Sequence, residues 1–315
     1  MAALICGSMA YDNIMVFPGK FKEQILPDQI HILNVAFLVP ELRREFGGCA
    51  GNIAYNLQLL GGTGYAMATV GEDFGPYRAW LKQQKLDTRY VTEVADTLTA
   101  QAYITTDLDD NQITAFHPGA MNHAHTAAVP INDGITIGMI SPDGQQGMLD
   151  HAAQFAAADI PFIFDPGQGL PMFDGPDLRD LIDKASWVAV NDYEGRMLQE
   201  RTGWTELQIS ERVEALIVTR GEKGSTIFAG TKQFNIPAVK ASEVRDPTGC
   251  GDAYRAGLLY GLLNGWSWPD TGRLAAMLGA LKIASLGTQN HTFSSASIAA
   301  GFKENFGYQP EITGP

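Results

Sequence analysis

Basic residues are scarce in this sequence. Lys and Arg number 22 against 35 Asp and Glu, a formal charge of −13. Sequence-independent nucleic-acid binding needs many cationic side chains to neutralise phosphates, and no basic cluster offsets the deficit, so nucleic acid is excluded as a partner. Cysteine is equally sparse. Cys6, Cys49 and Cys250 are odd in number and far apart, with no CxxC and no Cys/His metal spacing, which excludes the common zinc sites and a disulfide framework and fits a reduced cytoplasm. No apolar run approaches the roughly 18–20 residues that span a bilayer, so no membrane partner is expected. The opening "MAALICGSMAYDN" lacks a basic segment followed by a long apolar one, so it does not read as a secretion signal. There is no internal repeat and no low-complexity tract. Two nucleotide fingerprints are also missing. No GxxxxGK[ST] occurs, since "GEKGST" (221–226) does not fit it. "GGTGYAM" (61–67) has the wrong third position and opens a strand rather than a helix. The P-loop and nicotinamide readings fall with them.

What is present is apolar patterning. Hydrophobic residues make up 45% of the 315, ample for a full core, so a disordered chain is excluded. The length allows one large α/β domain or two smaller ones. "ALICGS" (3–8) reads as a buried first strand. "NIMVF" (13–17) and "IHILNVAFLV" (30–39) are strand-like and joined by polar links. "GNIAYNLQLLGG" (51–62) is a helix closed by glycines. "GYAMATVG" is the next strand and "FGPYRAWLKQQ" the next helix. Residues 89–116 return to strands, "RYVTEV", "TAQAYITTD" and "NQITAFH", with "DLDDN" as the turn between the last two. From about 134 strands ("GITIGMI", "PFIFD", "WVAVN", "ALIVTRG") alternate with helices near 145–157, 174–185 and 192–202. "GSTIFAG" and "KQFNIP" form a late hairpin, and helices follow at 251–264, 268–286 and about 295–306. Such alternation predicts a mostly parallel sheet covered by helices on both faces. The α/β body is interrupted by two all-β excursions, 12–46 and 89–116. They form either a decorated edge of the main sheet or a lid over a site at the carboxyl ends of the strands, where open α/β sheets bind ligands.

The stretch "RDPTGCGDAYRAG" (245–257) carries the chemistry. Gly249, Cys250 and Gly251 lead into a helix whose first-turn amides have no intrahelical partner and carry the positive end of its dipole. Glycines let that backbone approach an anion, which makes a phosphate cradle. Asp252 follows directly. A carboxylate at a helix start is most simply an N-terminal cap. Beside a phosphate it weakens binding unless it acts, and the act that fits is general base for a hydroxyl attacking phosphorus.

With these residues the chain resembles the ribokinase-like, or PfkB, family of carbohydrate and nucleoside kinases. "DPTGCGDAYRAG" looks like the family's C-terminal signature, with Cys250 where the usual loop has alanine. A thiol at a helix N-terminus can be unusually acidic; the alternative is a buried small residue. "FGGCAGNIAYNLQLLGG" resembles the N-terminal signature, which implies that Gly47, Gly48 and Asn52 touch the sugar. "VNDYE" carries the family's Asn-x-x-Glu, implying that Asn191 and Glu194, three apart and on one helix face, organise Mg²⁺ and phosphates through water; the plain alternative is a solvated helix face. "VTRGEKGS" resembles the Thr-x-Gly-x-x-Gly element, so Thr219 and Gly221 would line ATP, while Lys223 can be an ordinary surface lysine. The four motifs occur in the family's order, and the excursions fall where the family has its lid. The resemblance therefore implies one ribokinase-like domain over 1–315: a doubly wound, mostly parallel α/β sheet with a small β lid. It also implies a kinase using ATP and Mg²⁺, with a K⁺ site to which Asp246 and Thr248 would contribute.

For the acceptor, the family places Asp12 on two sugar hydroxyls, and one carboxylate can accept from a vicinal diol; otherwise Asp12 is a turn former. A nucleoside also needs an apolar slot, for which Phe17, Phe37 and Phe116 stand in or near the lid strands. "FHPGAM" (116–121) resembles the adenosine and nucleoside kinase branch, and Ser8 and Ala10 sit where that branch contacts the base. Adenosine is the expected acceptor, ribose or another simple sugar the alternative, and a non-catalytic nucleotide sensor a third reading. The apolar lid strands permit a lid-mediated homodimer, whereas adenosine kinases of this fold are often monomers.

Overall fold

The computed structural model describes residues 1–25, 32, 34–109, 111–131 and 133–309. The chain opens with β1 (Ala2–Cys6), β2 (Ala10–Val16), a one-turn helix α1 (Phe21–Gln24), β3 (Leu42–Gly47), α2 (Cys49–Leu59), β4 (Gly64–Val70) and α3 (Gly75–Gln83). It continues through β5 (Val91–Glu93), β6 (Ala100–Thr106), β7 (Gln112–His117), β8 (Ile135–Ile140), α4 (Gln145–Ala157), β9 (Phe162–Phe164) and α5 (Gly175–Lys184). Then come β10 (Trp187–Asn191), α6 (Asp192–Thr202), α7 (Glu206–Ser210), β11 (Ala215–Thr219), β12 (Ser225–Ala229) and β13 (Lys232–Ile236). Helices α8 (Cys250–Leu263), α9 (Trp268–Ile283) and α10 (Ser295–Phe306) complete it.

Among the described residues the strands form a nine-stranded sheet, β13-β12-β11-β10-β9-β8-β1-β4-β5, and a four-stranded one, β3-β2-β6-β7. In the large sheet β5 through β11 pair in parallel, and only β12 and β13 are antiparallel. β1 lies in the middle and is buried throughout. Its side chains alternate between the faces: Ala3 and Ile5 join the core under α2, α8 and α9, while Leu4 and Cys6 join the core under α4 and α5. A strand covered on both faces needs a continuous apolar run, which "AALIC" supplies. After β1 the chain builds outward through β4 and β5, then returns to the opposite side of β1 as β8. The strand order thus reverses beside β1, and in open α/β sheets the crevice at such a reversal is where ligands bind.

The two excursions meet in the small sheet, where β2 pairs in parallel with β6 and opposes β3. Two expectations need correcting. No strand covers 34–39; residues 30, 31 and 33 of "IHILNVAFLV" lie outside the described residues. The partner of β2 is "LRREFG", whose Arg43 and Arg44 guard an edge against further pairing. Phe37 instead packs its ring on Phe17 and Phe21, with centroids 5.0 and 4.9 Å apart, so the apolar run is used for side-chain packing rather than for a ladder. The segment "RYVTEV" also leaves its excursion: β5 pairs in parallel with β4 at the edge of the large sheet, a pairing that needs a crossover helix, and α3 is that helix.

Candidate active site

The start of α8 is uncapped by any side chain. Gly249 sits before it at φ +78°, a left-handed conformation that favours glycine, and a Cβ there would stand 3.0 Å from Cγ2 of Thr288. The Cys250 amide is used by the Pro247 carbonyl at 3.2 Å. Gly251 and Asp252 contribute the remaining first-turn amides, which a helix cannot satisfy internally. Burial pushes the Cys250 thiol up to about 11, so it is a small packing residue and not a reactive thiolate.

Asp252 does not cap its helix. Its Oδ2 accepts from Asn52 Nδ2 at 2.8 Å, 200 residues away in the chain. The direction of that bond is fixed by a relay. The indole of Trp80 can only donate, and it donates to Gln289 Oε1 at 3.0 Å. Gln289 must then present its amide nitrogen to Asn52 Oδ1, at 3.0 Å, which leaves the Asn52 nitrogen to face Asp252. Burial raises the Asp252 carboxyl to about 6; the Asn52 bond and Arg255 pull it down, and Asp165 pushes it up. That value suits a base working near neutral pH.

Asp12 faces the same region from β2. Burial, then the charges of Asp252, Asp246 and Glu45, lift it to about 7. Gly47 makes room for it: a Cβ there would come within 2.4 Å of Asp12 Oδ2. Gly48 has φ +86°, and a Cβ would strike the backbone of Ser8, Met9 and Ala10 at 2.6–2.7 Å. Ser8 Oγ accepts from the Cys49 amide at 3.2 Å, so this hydroxyl caps α2. Ala10 is buried and pairs with Gly47 and Ala100. Residues directly paired across strands point to one face. Asp12 pairs with Ala102, and Ala102 with Phe116, so Phe116, half exposed, stands on the Asp12 face about 10 Å away, two strand spacings. Phe17 and Phe37 are taken up with Phe21.

On the other side of the crevice, Asn191 ends β10 and Thr219 ends β11, and the two are direct partners in the ladder. Asn191 is not on the helix but just before it. Its Oδ1 accepts from the Glu194 amide at 2.8 Å, and Glu194 Oε2 accepts from the Asn191 amide at 2.7 Å, a reciprocal capping box on α6. Burial, helped by Asp165, raises the Glu194 carboxyl despite the Asn191 amide and Arg255. Thr219 Oγ1 donates to the Val190 carbonyl at 3.4 Å. Gly221, at φ +55°, has open space where a side chain would go, and Lys223 follows in the same turn.

Asp246 and Thr248 precede the loop. Asp246 accepts from the Thr248 amide through Oδ1 and from the Gly287 amide through Oδ2, both at 2.9 Å. Although burial opposes it, these amides hold its carboxyl below the usual range. The Asp246 carbonyl accepts from Lys282 Nζ at 2.9 Å.

Several of these residues escaped the sequence reading. Arg255, one turn beyond Asp252, is buried and grips Asp165 through two bonds of 3.1 and 2.9 Å. A signal existed: Asp165 directly follows the apolar run of β9, and Arg255 interrupts an apolar helix. Lys282 in "LGALKI" gave the same kind of hint. Gln289 and Trp80 gave none, because their partners are 237 and 209 residues away.

A model of the pfkB family of carbohydrate kinases matches residues 9–294. This chain belongs to that family. Among its pfkB relatives, the nucleoside kinase of Methanocaldococcus jannaschii is 32% identical over 260 residues, 82% of this chain and 85% of that protein. The nucleoside kinase of Burkholderia thailandensis, solved in complex with inosine, is 53% identical over 98% of this chain and 99% of its own, with a TM-score of 0.90. Its complex with ADP and inosine is 55% identical, with a TM-score of 0.88, over 98% and 97%. As a pfkB kinase the chain is a phosphotransferase with an alcohol as acceptor, and its mostly parallel doubly wound sheet with a smaller sheet beside it is the expected architecture.

Proposed function

We propose that this kinase transfers the γ-phosphoryl group of ATP to the 5′-hydroxyl of a nucleoside, adenosine giving AMP in the first instance. The observation that carries the reading is the pair of partly buried carboxylates in one crevice: Asp252 at an open helix N-terminus, and Asp12 facing it from the small sheet on the same face as Phe116. A sugar needs only the carboxylates; a flat ring beside a diol also needs the aromatic.

In this reading the whole chain works as one domain, with the small sheet as a lid. The ribose diol donates to Asp12 and the base lies toward Phe116. Asp252 takes the 5′-hydroxyl proton as that oxygen bonds to the γ-phosphorus and the bond from phosphorus to the ADP oxygen breaks. The amides at Gly249–Gly251 and the start of α8 meet the charge spreading over the phosphoryl oxygens. ATP lies along Thr219 and Gly221, with Asn191 and Glu194 toward its phosphates. Mg²⁺ would suit this site as a water-held ion: Glu194 brings one half-buried carboxylate toward the phosphates, and phosphates and water would supply the rest of its shell. When bound, it would neutralise charge on the β- and γ-phosphates. A relative solved with inosine makes 6-oxopurines the next acceptors to try. Catalysis displaces the sensor reading. The three free thiols suit a cytoplasmic enzyme, and exposed Leu42 and Ile113, on the face of the small sheet opposite Asp12, favour a homodimer through it over a monomer.

The test is phosphoryl transfer from MgATP to adenosine, inosine, guanosine, cytidine, ribose and fructose. Turnover of nucleosides with adenosine preferred is expected, and Phe116→Ala should raise KM for nucleosides while leaving ribose unaffected. Turnover of free sugars alone would make the sugar-kinase alternative correct. Light scattering after size exclusion decides the oligomeric state.

A further inference from the structure

The K⁺ expected at Asp246 and Thr248 does not fit the residues present, because a side-chain cation of the protein already stands there. Lys282, in the last turn of α9, is wholly buried. Its Nζ donates to the Asp246 carbonyl at 2.9 Å and to the Ser285 carbonyl at 3.1 Å. The Asp246 carbonyl also lies 3.9 Å from Cys250 Sγ. The two carboxylate oxygens of Asp246 are used by the amides of Thr248 and Gly287.

These contacts tie together two segments that flank the anion loop. One is 245–251, which runs into α8; the other is 283–288, which follows α9. They are joined also by the Arg245 and Asp246 amides on the Ile283 carbonyl, at 2.9 and 3.1 Å. Thr288 then lies against Gly249 and donates its hydroxyl to the Phe46 carbonyl at 2.6 Å, next to the Gly47–Gly48 turn. Carbonyl oxygens turned toward a common centre beside an anion-binding loop are the donor set of a monovalent cation. An ammonium has the same charge and up to three directed donors. Burying it is costly unless it is paired and hydrogen-bonded; burial holds the Lys282 ammonium below its usual range, and the negative charges of Asp246 and Asp252 oppose that loss.

We propose that Lys282 is a tethered substitute for the monovalent cation, holding the 246–251 and 283–288 segments in register behind the anion loop, so that phosphoryl transfer by this enzyme needs no K⁺. Lys282 is thereby a positioning residue: it touches no reacting atom and acts through the loop amides. The inference rests on the anion-loop role assigned under the proposed function, and thermal shifts, which need no turnover, separate its failure from a wrong acceptor.

Rates are measured with MgATP and an accepted nucleoside at constant ionic strength in chloride salts of K⁺, NH₄⁺, Na⁺ and tetramethylammonium, alongside melting midpoints in each. The wild type should give the same rate and midpoint in all four. Lys282→Ala should lose about tenfold to a hundredfold in tetramethylammonium, the scale of losing a residue that supports a functional group from behind. K⁺ and NH₄⁺ should restore rate and midpoint together, because an ion that binds only the folded chain stabilises it. Lys282→Met, which fills the space without a charge, should lose rate with no rescue. A wild-type rate raised several-fold by K⁺ overturns the proposal, as does a folded Lys282→Ala whose loss no cation repairs. If Lys282→Ala folds in no salt, the wild-type series decides alone.

Discussion

Helices α6 and α8 both start at the carboxyl edge of the large sheet with an acidic residue in the first turn, and they use it in opposite ways. In α6, Glu194 bends back to the Asn191 amide while Asn191 accepts from the Glu194 amide, so that helix end is closed by its own side chains. In α8 no side chain caps the end, and the Asp252 carboxylate is turned to Asn52 on α2. Closing a helix end with its own residues is worth about 1 kcal/mol. Leaving α8 open forgoes that gain, keeps amides free for an anion and holds a carboxylate at about 6. The comparison separates two meanings of one sequence device: an acid near a helix start stabilises where the chain is local to it, and is available for chemistry where a distant residue holds it.

The largest test of that difference is Asp252→Asn. Loss of a positioned base should lower kcat by about 10²–10⁴. The sign for stability is opposite. The Asp252 carboxyl is raised from an ordinary 3.8 to about 6, so between those values the folded chain holds a proton the unfolded chain has released. Stability therefore falls as pH rises through that window, and the asparagine variant removes the fall. Denaturation midpoints for the variant should exceed those of the parent most clearly above pH 6. A variant within a few-fold of parental kcat would remove the base assignment.

Next comes the loop. Gly249→Ala places a Cβ at φ +78° and 3.0 Å from Thr288. Strain of about 1 kcal/mol or more is expected in the melt, with a larger KM for ATP in initial-rate kinetics. Smaller again is the pH shift. As a base, Asp252 must be ionised, so kcat should rise with pH through an acid limb near 6. Asn52→Ala removes a bond that lowers the carboxyl, so the limb in the pH–rate profile should move to higher pH; a limb that moved down or stayed would break the relay from Trp80 through Gln289. The smallest effect is at α6. Asn191→Ala opens the capping box and should cost about 1 kcal/mol in stability, read from chemical denaturation, while leaving the acid limb of kcat where it was.

Most of the parallel body is legible from local signals in the sequence. The continuous apolar run "AALIC", glycines after "NLQLL" and the helical period after Gly251 locate the central strand, the end of α2 and the start of α8. The sequence misled at "IHILNVAFLV", where apolar character served ring packing around Phe37, and strand formation fell to the charged "LRREFG" next to the Gly47–Gly48 turn. Strand propensity expresses a fit to neighbours, and the neighbour of β2 is set by chain path rather than by hydrophobicity. The Asn-x-x-Glu spacing is visible in the sequence, but it makes a cap across the start of α6 rather than a pair on one helix face.

By itself the sequence determined the order of the motifs, the buried central strands and the glycines that only a special backbone conformation or a close approach explains, because these follow from periods of two and 3.6 residues and from local sterics. Tertiary structure alone decided that Asp252 is free of its helix, that its charge raises the cost of ionising Asp12, and that Lys282 stands among the carbonyls beside the start of α8. Each depends on groups brought together from distant parts of the chain, 200 residues apart for Asn52 and Asp252 and 36 for Lys282 and Asp246. Burial and Coulomb interaction depend on distance in space, which spacing along the chain does not encode.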